Sequence, residues 1–171
     1  NSLDGQALID TAEGAHKEIE NILQRMREVG IQAANDTNND QDRTNLQAEM
    51  DAMLTEIDRI AGTTTWAGAS LMADDTNATV FSFQVGAATG TQNQISVSIS
   101  GMNGDALGLS TADVSDLKVK DTVAGDGSGD ANALAAVDDI DDAIKLVNDP
   151  RSALGVVSNR LNHTVNNLTN I

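Results

Sequence analysis

Cysteine is absent from the 171 residues, so no disulfide, thiolate nucleophile or thiolate-held metal is available. Tyrosine is absent as well, and two phenylalanines with one tryptophan bring the aromatics to only 2%. The core must therefore be aliphatic and thin, which suits close helix-on-helix packing better than a large concave pocket. Basic residues are scarce: 10 Lys and Arg stand against 26 Asp and Glu, a net charge of −16 whose sign repels phosphate and argues against nucleic acid. No apolar run approaches the roughly 18 residues of a membrane span, and no membrane insertion is expected. The first residues, Asn1 to Gly5, also lack the basic and then apolar order of a cleaved signal.

What the chain does contain is heptad spacing. Leu8, Ala12, Ala15, Ile19, Ile22, Met26, Val29 and Ala33 alternate steps of four and three without a slip, which predicts a helix of roughly 40 Å with a seam for other helices. Asn35 to Asp40 then gathers side chains that compete for backbone hydrogen bonds, a turn in which Asn39 or Asp40 caps the next helix. Leu46, Met50, Met53, Ile57 and Ile60 form its seam, with Gly62 as the expected stop. Two rods joined by so short a turn make an antiparallel hairpin.

The period then falls to two, weakly from Trp66 to Met72, next from Phe81 to Val85 and clearly from Ile95 to Ile99. Gly86 to Asn93 reads as the loop between the last two strands. From Asn103 to Asp130 the chain is rich in Gly, Asp and Ser and is expected to be an exposed, flexible connection with one short strand at Leu117 to Val119. A third rod carries Ala133, Val137, Ile140, Ile144 and Val147, then Leu154, Val157, Leu161 and Leu168 after a one-residue slip. Pro150 lies inside it. Because Val147, Arg151 and Leu154 keep the spacing across the proline, a kinked, nearly continuous helix is expected. The fold class is thus mainly α with a small β region: two N-terminal helices and one long C-terminal helix beside a small β-hairpin sheet.

Several short runs carry a family pattern: Leu23-Gln24-Arg25-Met26-Arg27-Glu28, Gln32-Ala33-Ala34-Asn35, Leu46-Gln47-Ala48-Glu49 and Glu56-Ile57-Asp58-Arg59-Ile60. Thr11 to Ala15, Phe83 to Ala87, Leu154 to Leu161 and Asn166 to Leu168 extend it to both ends of the chain. The sequence resembles bacterial flagellin, and only about Asn103 to Asp130 is left unmatched. The resemblance implies one elongated domain of the filament wall over residues 1–171. Its helical hairpin would take 1–62, the small sheet 63–102, the acidic connection 103–130 and the C-terminal helix 131–171. It further implies terminal helical segments that this chain lacks, so a truncated chain or fragment is expected, and 103–130 would be where other flagellins insert outer domains.

The implied function is polymerisation into the flagellar filament, outside the cell and by export without a cleaved signal, with other flagellin subunits, an export chaperone and cap or junction proteins as partners. The resemblance also points to a surface of Gln24, Arg25, Glu28 and Val29 with Glu49, used for subunit contact or for binding by the vertebrate Toll-like flagellin receptor. Val29 stands where Leu is usual, one methylene less, or about 0.8 kcal/mol of apolar contact. A cell-surface homologue binding polysaccharide through loops near Thr89 to Asn93 and the hook-filament junction protein are the alternatives.

No catalytic, cofactor or metal residue is expected, and the chain does not read as an enzyme. His16 and His163 are the only histidines and form no H-E-x-x-H pair, so they read as surface or packing residues. Asp36 to Asp42 imitates the start of a calcium loop, but Gln41 replaces the required Gly and Gln47 the closing Glu. Asp138, Asp139, Asp141 and Asp142 suit the positive start of the third rod. Gly127-Ser128-Gly129 is too short for a phosphate cradle.

Overall fold

A computed structural model of the chain describes residues 1–74, 76–111, 114–115, 117–123 and 125–169, with the side chains of 111, 114, 115, 168 and 169 left out. Helix α1 runs over Ser2–Ala33 and α2 over Asp40–Thr63. Three antiparallel strand pairs follow: β1 (Thr65–Trp66) with β2 (Ala69–Ser70), β3 (Thr79–Gln84) with β4 (Gln94–Ile99), and β5 (Ser110–Thr111) with β6 (Val114–Ser115). Helix α3 closes the chain over Gly129–Thr169.

The turn between α1 and α2 is built by its side chains. Asn39 accepts a hydrogen bond from the Asp42 amide at 2.8 Å while Asp42 accepts one from the Asn39 amide at 3.1 Å, a reciprocal cap that identifies Asn39 as the start of α2. Asn38 donates to the carbonyls of Gln32 and Asn35, both at 2.7 Å, and so satisfies acceptors that the end of α1 leaves free. Gly62 does not stop α2. The helix continues to Thr63 and ends at an extended Thr64, whose hydroxyl and amide both return to the Ile60 carbonyl. The hydroxyls of Thr63 and Thr64 supply the closing bonds expected of a glycine cap.

In α1 the buried row is Leu8, Ala12, Ala15, Ile19, Leu23, Met26, Val29 and Ala33, with Ile22 only partly covered. In α2 it runs Arg43, Gln47, Met50, Leu54, Ile57 and Ala61, again in four-three steps, flanked by Leu46 and Ile60. Met53 is only partly covered. Four of the five expected seam residues of α2 are thus buried, Leu54 takes the place of Met53, and the buried face is widened by Ala61 and two polar members, Arg43 and Gln47. Helix α3 runs antiparallel to α1: Gly5 sits against Leu161 and Gly30 against Val137. A Cβ on Gly30 would lie 2.7 Å from Val137 Cγ2, so glycine permits this close helix approach.

α3 is one helix through Pro150, in agreement with a single C-terminal rod, although it begins two residues earlier than expected. Its buried row includes Ala133, Val137, Ile140, Val147, Leu154 and Leu161, and the side chain of Leu168 lies outside those described. On the β3–β4 ribbon, Ile95, Val97 and Ile99 are buried opposite Phe83, Phe81 and Thr79, the face that covers α1 and α3. Ala67 and Gly68 both have positive φ, 50° and 83°, and make the two-residue turn between β1 and β2.

The segment after β4 departs from the expected free connection. Met102, Leu107, Leu109, Leu117 and Val119 are all buried in the common core. Leu117 to Val119 is no strand. Instead, the Gln47 amide of α2 donates to the Leu117 carbonyl and accepts from the Val119 amide, both at 2.8 Å, doing for this backbone what a neighbouring strand would do. Apolar residues scattered among Gly, Asp and Ser give no period to read, yet burying each stabilises by about 1.5–3 kcal/mol.

Candidate assembly and recognition surface

Three arginines tie the rods together along their length. Arg43, nearly buried on α2, donates to the Ala33 carbonyl at 2.8 Å and pairs with Asp130 at the start of α3, so one guanidinium joins all three helices. Arg27 bonds Asp141 at 2.6 Å. Arg151 reaches Glu13 at 3.3 Å and also pairs with Glu20. Asp121 accepts from the Gly129 amide at 2.8 Å, placing a carboxylate at the positive end of α3.

Of the five residues expected to form a recognition surface, four come together on the outside of the hairpin. Arg25 donates to Glu28 one turn away at 3.1 Å and to Glu49 across on α2 at 2.8 Å, and Gln24 is exposed beside it. Hydrogen bonding to Glu28 and then to Glu49 holds the Arg25 guanidinium more firmly charged than usual. Val29 does not join them. It is fully buried, because its place in the seam turns it toward the other helices, and no partner could touch it without opening the bundle. Its difference from Leu therefore bears on packing and not on surface contact.

Some of the residues that reach solvent on the rods are large and apolar. Leu3, Ile31, Leu134, Leu146 and Val156 lie on α1 and α3 with between 47% and 67% of their surface exposed. Sequence reading placed no weight on them because none falls on a heptad seam. His16 is a packing residue: it is buried with both ring nitrogens unpartnered, and desolvation lowers its pKa, opposed by Glu13 and assisted by Arg151. A cleft of about 630 Å³ lies between α2 and the segment after β4 and is lined by Asp51, Asp58, Asp105 and Lys118 among others. Among the described residues no cluster of His, Asp and Glu is arranged to hold a metal ion, and no helix is long and apolar enough to cross a membrane.

Comparison with known proteins gives a consistent likeness. Residues 1–77 match the family model for the bacterial flagellin N-terminal helical region, and residues 137–171 match that for the C-terminal helical region. A flagellin of Halalkalibacterium halodurans is 39% identical over 170 residues, covering 99% of this chain and 57% of that protein. A flagellin of Bacillus subtilis is 40% identical over 190 residues, with 99% and 61% covered. The chain thus spans about three-fifths of the length of these relatives. The crystal structure of Bacillus cereus flagellin superposes with a TM-score of 0.75 at 31% identity, over 98% of this chain and 87% of that one.

Proposed function

The chain belongs to the bacterial flagellin family, and from that premise we propose that it is a structural subunit that polymerises into the extracellular flagellar filament and serves swimming motility. Flagellins are structural proteins. The observation that carries the reading is the pair of long antiparallel rods, α1 and α3, whose seams are filled within one chain while large apolar side chains stay exposed along their outer faces. A head-to-tail contact that buries such residues on a neighbouring copy and does not close on itself generates a filament.

In this reading residues 1–171 form one elongated wall-type domain, and the principal partners are other flagellin subunits. An export chaperone, cap or junction proteins and the vertebrate Toll-like flagellin receptor are further partners by family likeness. For the receptor, Arg25, Glu28 and Glu49 offer a preformed charged patch, with Gln24 at its edge. The test is complementation of a flagellin-less bacterium with the complete gene. Filaments and swimming are expected from the parent sequence and neither from a Leu134→Asp, Val156→Asp double variant that still folds. Normal swimming of that variant would overturn the assignment of these faces to subunit contact.

A further inference from the structure

We propose that Asn103-Gly104 is a latent self-modification site, kept intact in the folded chain by the Asp58 carboxylate. The pair is chemically labile because glycine puts no side chain in the way of attack by its own nitrogen on the preceding amide. In that reaction the Gly104 nitrogen bonds to Asn103 Cγ and the Cγ–Nδ2 bond breaks. Nδ2 leaves as ammonia with the proton from the Gly104 nitrogen. The resulting five-membered imide then takes up water and opens to aspartate or isoaspartate. Water is the only co-reactant, and nothing is oxidised or reduced.

Packing explains why so labile a pair stands here. Gly104 is buried against α2, where a Cβ would lie 2.8 Å from Ser110 Oγ and 3.1 Å from Leu54 Cδ1. Asn103 is equally constrained: its Oδ1 accepts from the Ala106 amide at 2.8 Å and its Nδ2 donates to the Ala73 carbonyl at 3.1 Å. Each residue is needed for docking of the segment after β4, and together they make a reactive dipeptide.

The same contacts block the reaction. The Gly104 N–H donates to Asp58 Oδ1 at 2.6 Å, which fixes the nitrogen in place and sets a negative charge where an amide anion would form. The same anchor keeps the segment docked so that Asn103 is held at both ends of its amide and Cγ cannot swing onto the neighbouring nitrogen. Conversion would set a carboxylate oxygen against the Ala73 carbonyl and close to Asp58 and Asp105, so the segment would not redock once modified. Covalent damage at this pair and undocking of the segment are thus coupled, whether or not the chain assembles.

The chain is to be incubated in mildly alkaline buffer, folded and in urea, and Asn103 followed by peptide mapping with mass spectrometry. Folded protein is expected to convert at least about tenfold more slowly than protein in urea, and a folded Asp58→Ala variant to recover most of that difference. If Asp58→Ala fails to fold by circular dichroism, Asp58→Leu, which removes both the accepting oxygen and the charge while keeping the bulk of the side chain, takes its place under the same criterion. Equal rates for folded and urea-treated parent, or parent-like protection in the folded variant, would overturn the proposal.

Discussion

His16 shows most plainly what a single residue contributes to the bundle. It is buried on α1 near the Glu13–Arg151 pair, and with neither nitrogen partnered it is held neutral. Its folded pKa is lowered, so the unfolded chain binds the proton more readily. The contribution is therefore fully present above the unfolded value, near 6.5, and is lost as the pH falls from there toward the folded value. Urea melts are expected to show stability declining below about pH 6.5, with the decline flattened by His16→Leu. A parent-like slope in His16→Leu would remove His16 from the explanation.

Leu161 is a second test at this scale, being fully buried against Gly5 at the far end of the rods. Leu161→Asp places an unpaired charge there and is expected to cost roughly 4 kcal/mol, lowering Tm by about 10 °C. An unchanged Tm would contradict the packing described. Buried Leu161 was legible from its spacing, whereas buried Arg43 and Gln47 were not, because a polar residue on a seam looks like an interruption. The signal was there: 43, 47, 50, 54, 57 and 61 keep the heptad as faithfully as the apolar row does.

At the scale of elements, spacing identified three rods in the correct order and placed the β3–β4 ribbon by its alternation. It misjudged which of two adjacent residues faces inward, Ile22 or Leu23 and Met53 or Leu54, since two apolar neighbours satisfy the same period. The docked segment after β4 was illegible because it is held by single side chains, Gln47 and Asp58, and not by a repeating pattern. Pro150 gives the element-scale prediction. It removes one backbone hydrogen bond from α3, yet the helix continues, so Pro150→Ala is expected to stabilise the chain by about 1–3 kcal/mol in denaturant melts. A loss of stability would mean that the neighbouring packing depends on the proline.

For the molecule as a whole, the antiparallel rods bury their seams against one another and against one face of the ribbon, which leaves an acidic exterior studded with isolated apolar side chains. Family and helical plan were readable because both ends of the chain carry matching runs. In the expected recognition surface the heptad seam already turned Val29 inward, whereas sequence could not show that Arg25, Glu28 and Glu49 converge. Subunit contact is the central claim. It is tested most directly by sedimentation and negative-stain microscopy of the complete protein under polymerising salt, with and without Leu134→Asp and Val156→Asp. The account predicts long filaments from the parent and soluble, folded monomer from the double variant; filaments of equal length and yield from both would contradict it.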